Sequence, residues 1–176
     1  TGSNHVREKD GLWAVLFWLN LVAVTGQSVE ALVRGVWREH GRCVYSRHDY
    51  EGIPTERADA LMAGLRSRLD SLASQTGAGQ RIAWADDFSY TDPVDGSVSQ
   101  RQGVRVVLED SSRVVFRLSG TGTEGATLRV YLERHEPDAA RHDVPVQQAL
   151  APLVQLAGEL AGIEQHTGMR APSVMT

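Results

Sequence analysis

Four strand-like runs follow one another in the second half of the chain, and this succession most constrains the fold. They span residues 81–85, 103–108, 113–118 and 128–133. The polar stretch at residues 109–112 predicts a hairpin turn between the middle two runs. An amphipathic helix precedes the runs and another, with apolar residues recurring over residues 146–163, follows them. Strands of one sheet flanked by two amphipathic helices indicate an α+β domain of two layers.

Two further helices are predicted before this domain. Asp10 is placed to cap a helix over residues 11–24, and Ser28 to cap a second over residues 29–40. The first is apolar on nearly every face, which is typical of a helix buried on most sides. One neighbouring helix cannot cover it, so we expect its packing partners upstream of Thr1 or in another chain.

The domain boundaries follow from these elements. Residues 1–41 form a helical piece, residues 42–54 are expected to be an extended inter-domain linker, and residues 55–176 form the C-terminal domain. Thr55 is expected to cap the helix that opens this domain. The apolar stripe of that helix consists of Leu61, Met62, Leu65, Leu69 and Leu72.

Composition excludes several classes of protein. The formal net charge of −4 argues against a nucleic-acid binder that works through bulk positive charge. The single cysteine, Cys43, rules out an intrachain disulfide and fits a reducing cytoplasm. The longest apolar stretch, residues 12–24, is interrupted by Asn20 and is too short to span a bilayer. We therefore expect a cytoplasmic protein without nucleic-acid or membrane partners.

A segment rich in glycine and hydroxyl groups lies between the last two strand-like runs. It reads Arg-Leu-Ser-Gly-Thr-Gly-Thr-Glu-Gly-Ala-Thr-Leu-Arg over residues 117–129. Glycines let backbone N–H groups converge on an anion, and the two arginines offer paired donors to phosphate oxygens. The alternative is a flexible hairpin with incidental arginines, but an arginine at each rim beside apolar strand residues favours a phosphate-binding loop. The predicted ligands are Arg117, Ser119, Gly120, Thr121, Gly122, Thr123 and Arg129.

A second polar segment, His-Val-Arg-Glu-Lys-Asp-Gly over residues 5–11, precedes the first helix. Lys9 could act as a general acid or base there if its surroundings disfavoured the charged ammonium group. The alternative is a solvated charge run ahead of a capped helix, and the segment taken alone favours that interpretation. The residues by themselves leave both open.

Four ordered motifs resemble one enzyme family, the α-D-phosphohexomutases. They lie at residues 2–14, 45–51, 86–97 and 116–131. They are more similar to the phosphoglucomutase branch than to the phosphomannomutase branch. The resemblance covers essentially the whole chain, and residues 171–176 resemble the C-terminus of the family.

The resemblance implies a four-domain enzyme, of which this chain carries the end of the third α/β domain and all of the fourth. The fourth domain of the family is TATA-box-binding-protein-like, an antiparallel sheet with helices on one face. The enzyme interconverts α-D-glucose 1-phosphate and glucose 6-phosphate through glucose 1,6-bisphosphate, with Mg²⁺. In the family, the segment matching residues 117–129 holds the phosphate that is not reacting.

The same resemblance assigns substrate contacts near the start of the chain. Lys9 matches a lysine that contacts the bisphosphorylated sugar and is a candidate acid or base. His5 and Arg7 lie in the same substrate-facing segment. Asn4 stands where the family has an aspartate, so no role is carried over to it.

Motifs that the family needs for the reaction are absent from this sequence. The phosphoserine segment Thr-Ala-Ser-His-Asn-Pro does not occur, nor does the magnesium loop Asp-x-Asp-x-Asp-Arg. Phosphoryl transfer needs a positioned nucleophile and a metal ion. We therefore expect the chain to be inactive alone, with a sugar phosphate and the missing N-terminal domains of the same polypeptide as partners. A non-catalytic sugar-phosphate-binding or interaction module is the alternative.

Overall fold

The computed structural model of the chain describes residues 9–73, 75–122 and 125–176. These residues divide into two compact units. One consists of the chain up to residue 42 together with residues 137–142, and the other of residues 43–136 and 143–176.

The first unit contains the two predicted helices, α1 (Gly11–Thr25) and α2 (Val29–His40). The side chain of Asp10 accepts the backbone N–H of Trp13 at 3.0 Å, and Ser28 Oγ accepts that of Ala31 at 3.2 Å. Each cap satisfies a backbone donor that the helix leaves unpaired. Both predicted helices and both predicted caps are confirmed.

Residues 137–142 join this unit through aromatic and polar contacts. The guanidinium of Arg42 lies 4.7 Å from the ring centroid of Trp37 and donates to the carbonyl oxygen of His142. The Trp37 and His142 rings meet edge-on at 6.2 Å. These contacts attach the short 3₁₀ helix Ala139–Arg141 to α2.

Helix α1 contains no buried residue. Its large apolar residues that remain more than a third exposed are Leu12, Val15, Leu16, Phe17, Trp18, Leu19 and Val24. Within the described part of the chain, no single helix is long and apolar enough to cross a membrane. The pair α1 and α2 would pass on length and composition together, but the two helices are bent by 88°.

The second unit is a seven-stranded sheet with four helices. The strands are β1 (Arg42–Ile53), β2 (Thr76–Gly77), β3 (Gln80–Thr91), β4 (Val98–Leu108), β5 (Arg113–Gly122), β6 (Gly125–Glu136) and β7 (Val174–Met175). The helices are α3 (Thr55–Arg66), α4 (Leu69–Leu72), α5 (Val146–Ala161) and α6 (Ile163–Thr167). The strand order is β2-β3-β4-β5-β6-β1-β7, and β3 to β6 form consecutive antiparallel pairs.

Alternation along the strands places the core on one face of the sheet. Phe116 on β5 and Leu128 on β6 are fully buried, as are Leu65 on α3 and Leu150 on α5. Burying one such side chain stabilises the fold by about 1.5–3 kcal/mol. The intervening strand residues point to the opposite face, which α3, α4, α5 and α6 leave open. The predicted α+β class, an antiparallel sheet with helices on one face, is confirmed.

Several elements differ from the sequence-based expectation. The predicted linker at residues 42–54 contains β1, whose buried positions include the polar residues Ser46, His48 and Asp49. Polar side chains at buried positions hide the alternation that identifies a strand. Helix α3 begins at Thr55, which therefore does not cap it, and no side chain caps that helix.

Candidate phosphate-binding site

The predicted phosphate-binding loop is mostly strand. β5 continues to Gly122 and β6 resumes at Gly125, and these two residues are paired. Ser119 pairs with Thr127, so between the two pairs β5 advances three residues while β6 retreats two. The extra residue forms a β-bulge, in which Gly120 adopts a φ of 64°, a conformation that side chains other than glycine's disfavour.

Two arginines are opposed across the hairpin. Arg117 on β5 and Arg129 on β6 are direct register partners. The next pair on the same face is Ser119 with Thr127. Like charges directly opposite each other destabilise a sheet. The hairpin therefore presents a two-arginine, two-hydroxyl face on which an anion relieves the repulsion.

A buried carboxylate lies beside one of these arginines. Asp49 on β1 has a side chain only 6% exposed, and its Oδ2 lies 3.9 Å from Nε of Arg129. Its other oxygen, Oδ1, accepts Nε of Arg47 at 2.9 Å. Asp49 is thus shared between two guanidinium groups. Arg117 forms no ion pair with any of the described residues.

Two cavities flank Arg117 on the open face of the sheet. One, of about 390 Å³, is lined by Phe88, Tyr90 and Arg105 among others. The other, of about 580 Å³, is lined by Tyr45, Arg47, Arg113 and Tyr131 among others.

Arg105 is engaged by its own partners. It donates to both carboxylate oxygens of Asp86, at 2.8 and 2.5 Å, and its guanidinium lies 4.4 Å from the ring centroid of Phe88. The Asp86 carboxylate raises the pKa of Arg105 above its ordinary value. Arg105 is therefore held by the protein itself, whereas Arg117 has no comparable carboxylate partner among the described residues.

The hairpin is held against the end of β1. A Cβ added at Gly125 would lie 2.9 Å from the carbonyl oxygen of Ile53 and 3.2 Å from the carbonyl carbon of Gly52. Gly125 also has a φ of 94°. Only glycine allows so close an approach in this conformation, so Gly125 fixes where the hairpin lies on the sheet.

The structure brings the predicted phosphate ligands Arg117, Ser119, Gly120 and Arg129 together on one hairpin, with Thr121 and Gly122 in the same strand. Thr123, His5 and Arg7 lie outside the described residues. Lys9 is exposed and belongs to the other compact unit. Its role as a substrate contact and candidate acid or base stays a prediction.

Sequence reasoning missed Asp49 and Thr127. Asp49 lies in a motif that carries the family resemblance, but the sequence predicts a linker over residues 42–54, and a linker does not place this carboxylate next to Arg129. The position of Thr127 follows only from the register of the hairpin. In the part of the chain that the structure describes, no group of three or more His, Cys, Asp or Glu residues is placed to hold a metal ion. The acidic, histidine and cysteine residues that the structure describes therefore do not fit a magnesium site.

Comparison with known proteins identifies the family. A family profile described as "Phosphoglucomutase-1, C-terminal domain" matches residues 42–173, and one described as "Phosphoglucomutase/phosphomannomutase, alpha/beta/alpha domain III" matches residues 2–40. The chain belongs to the phosphoglucomutase family. The resemblance inferred from the four motifs is confirmed.

The relatives are considerably longer than this chain. A phosphoglucomutase from Rhizobium radiobacter is 56% identical over 176 residues, which cover all of this chain and 32% of the relative. Human phosphoglucomutase-1 is 43% identical over 182 residues, again covering 32% of its length. The crystal structure of the Paramecium phosphoprotein pp63/parafusin, a phosphoglucomutase in an open form, superposes with a TM-score of 0.86 at 42% identity, over 99% of this chain and 31% of that one. The chain spans about a third of the length of these relatives.

Proposed function

We propose that the open face of the β5–β6 hairpin binds the phosphate group of a sugar phosphate. The observation that carries this proposal is the direct opposition of Arg117 and Arg129. Among the described residues, Asp49 is the one carboxylate that forms an ion pair with either arginine, and Arg47 already holds one of its oxygens. A phosphate brings the negative charge and the acceptor oxygens that this arrangement lacks.

The remaining groups on this face suit the same ligand. The hydroxyl groups of Ser119 and Thr127 are neutral donors next to the arginine pair. The bulge at Gly120 turns the backbone locally, so that successive N–H groups can converge on an anion. Such a site recognises a phosphate without contacting much of the sugar to which it is attached.

We further propose that this domain serves a complete phosphoglucomutase of the length of its relatives. That enzyme interconverts α-D-glucose 1-phosphate and glucose 6-phosphate through glucose 1,6-bisphosphate. The phosphoserine and the Mg²⁺ loop belong to segments that this sequence does not contain. The hairpin then holds the phosphate that is not reacting, and Lys9 contacts the sugar. Residues 1–41 serve as the end of the third domain, and residues 55–176 as the phosphate-binding domain.

The proposal is tested by NMR titration of the 176-residue chain with glucose 6-phosphate. We expect a dissociation constant in the millimolar range, a binding free energy of about −4 kcal/mol, because this phosphate-binding site acts alone. Amide shifts should centre on Gly120 and its neighbours. Arg117→Ala and Arg129→Ala should each weaken binding by about 1.5–3 kcal/mol, the contribution of a charge-assisted hydrogen bond.

Two control variants make this test specific. Arg113→Ala removes an arginine from the same strand and face, but one already paired with Glu133 through two hydrogen bonds. Lys9→Ala removes the lysine assigned to the reacting end of the sugar. Both should bind glucose 6-phosphate as the unmodified chain does. A titration without amide shifts would contradict the proposal, and shifts centred on residues 7–11 with a silent hairpin would show that the two sites are assigned the wrong way round.

A further inference from the structure

Asp49 is a buried carboxylate, and a buried carboxylate is rarely found without charged or hydrogen-bonding partners. The residue is 4% exposed and lies on β1, the strand next to β6 in the sheet. An ionised carboxylate removed from water requires compensating charge and hydrogen bonds. Arg47 meets one oxygen at 2.9 Å, and Arg129 approaches the other.

The contact between Asp49 and Arg129 is incomplete. The distance of 3.9 Å from Oδ2 to Nε is too long for a hydrogen bond, and Nε of Arg129 is buried without a hydrogen-bond partner among the described residues. A buried donor without a partner is costly. An approach of about 1 Å would bring the two atoms to the usual hydrogen-bond distance.

We propose that Asp49 is a positioning residue for phosphate binding: its free oxygen takes the Nε–H of Arg129 when phosphate binds. The guanidinium plane is then fixed, and its two terminal nitrogens point away from Asp49 toward the phosphate oxygens. This inference rests on the proposed phosphate site. It adds a group that does not contact the ligand and acts only through Arg129.

Simple electrostatics predicts the opposite change in phosphate affinity when the charge of Asp49 is removed. The direction of that change therefore tests the inference. A carboxylate near a bound phosphate repels it, so removing the charge of Asp49 should strengthen anion binding if charge alone matters. If Asp49 orients Arg129, removing it should weaken binding although the site becomes more positive. The two accounts therefore disagree on the direction of change.

The decisive variant is Asp49→Asn, which keeps the size of the side chain and removes its charge. Inorganic phosphate and glucose 6-phosphate should each bind about tenfold more weakly, the loss expected when one hydrogen bond to a charged group is removed. Glu133→Gln is the matched control, since it removes a carboxylate that is paired with an arginine across β5 and β6 without touching Arg129. It should leave binding unchanged.

A double-mutant cycle separates positioning from a general loss of structure. In an Arg129→Ala background, Asp49→Asn should have no further effect on phosphate binding, because the residue it orients is gone. In an Arg117→Ala background its tenfold effect should persist. A structural defect would weaken binding in both backgrounds.

A measurement on the unmodified chain covers the case in which Asp49→Asn does not fold. The Nε–H signal of Arg129 should shift on titration with inorganic phosphate, and its hydrogen exchange should slow, as the bond to Asp49 forms. An unchanged signal while the hairpin amides shift would overturn the inference, as would unchanged or tighter binding by Asp49→Asn. Either result would leave the phosphate site intact, whereas failure of the unmodified chain to bind phosphate would contradict the proposed function itself.

Discussion

A Cβ added at Gly103 would lie 2.7 Å from Cγ of Arg117 and 2.9 Å from the carbonyl oxygen of Phe116. The aliphatic part of Arg117 therefore crosses β4 where β4 has no side chain. Both residues line the cavity of about 390 Å³ on the open face of the sheet. Gly103 thus leaves open the space that the aliphatic part of Arg117 occupies.

The first prediction is that Gly103→Ala weakens phosphate binding by displacing Arg117. Because a backbone oxygen also blocks the added methyl group, we expect a loss of about 1–3 kcal/mol in the free energy of unfolding. Glucose 6-phosphate should bind several-fold more weakly.

Gly158→Ala is the matched control: a Cβ at this position in α5 meets nothing within 4 Å. That change should raise stability by about 0.5–1 kcal/mol and leave binding unchanged. Urea unfolding and NMR titration measure both quantities, and normal binding by Gly103→Ala would refute the prediction.

The sequence predicts the helices of this chain better than its strands. The sequence predicts the caps Asp10 and Ser28 correctly because capping depends on neighbouring residues alone. The predicted run at residues 81–85 covers only the first half of β3, because the strand continues to Thr91 through Asp86 and Asp87. Carboxylates are uncommon in strands, and here Arg105 and Arg66 hold them. Such pairing between distant residues leaves no local signal.

The candidate site also combines features that follow from the local sequence with features that depend on distant residues. The glycines, hydroxyl groups and arginines of residues 117–129 predicted an anion-binding segment from composition. The opposition of Arg117 to Arg129 depends on the strand register, which the bulge at Gly120 helps to set. The placement of Asp49 beside Arg129 depends on the sheet order, in which β1 lies next to β6 although 71 residues lie between Ile53 and Gly125. Neither relationship is local in the sequence.

The second prediction concerns selectivity. In the reaction proposed for the complete enzyme the bisphosphate turns round between two half-reactions, so the proposed site has to accept a phosphate attached at either end of the sugar. Glucose 1-phosphate and glucose 6-phosphate should therefore shift the same hairpin amides, with dissociation constants within about fivefold of each other, or about 1 kcal/mol. Glucose without phosphate should cause no shift. A large preference for one of the two esters would mean that the hairpin also contacts the sugar and distinguishes its two ends.

The third prediction is a loss of stability in alkaline solution through Tyr50. Burial raises the pKa of Tyr50 above its ordinary value of 10.0. The folded chain therefore keeps the phenol proton at a pH at which the unfolded chain releases it. The stability that depends on neutral Tyr50 is complete below about pH 10 and decreases as the pH rises through the raised pKa.

Urea unfolding at about pH 8 and about pH 11 tests this prediction. Tyr50→Phe cannot ionise and should lose less stability between the two conditions than the unmodified chain does. Tyr45→Phe is the control, because it removes the hydroxyl group of a tyrosine that is 72% exposed, and it should lose as much stability as the unmodified chain. Equal alkaline losses in Tyr50→Phe and the unmodified chain would show that other groups control the effect.

The fourth prediction concerns α1, whose apolar side chains lie in water. Leu12, Leu16 and Leu19 are 79%, 60% and 60% exposed, and their spacing places them on one side of the helix. Burying each fully would stabilise a contact by about 1.5–3 kcal/mol, so the chain should self-associate as its concentration rises. Replacing Leu16 and Leu19 by glutamate should reduce association in light scattering. Val94→Glu changes an equally exposed residue elsewhere and should not. A chain that remains monomeric at every concentration would contradict this expectation.

The last prediction concerns the reaction. The chain alone, supplied with Mg²⁺ and glucose 1,6-bisphosphate, should not convert glucose 1-phosphate into glucose 6-phosphate above background. Its sequence lacks the serine segment that carries the phosphoryl group in the family, and a binding site without a nucleophile lowers no barrier to phosphoryl transfer. An assay that couples glucose 6-phosphate to its dehydrogenase measures this directly, and the chain from a second, independent purification excludes a contaminating mutase. If activity scales with the amount of this chain and is reduced by Arg117→Ala, then the chain contains a nucleophile that the family comparison does not reveal.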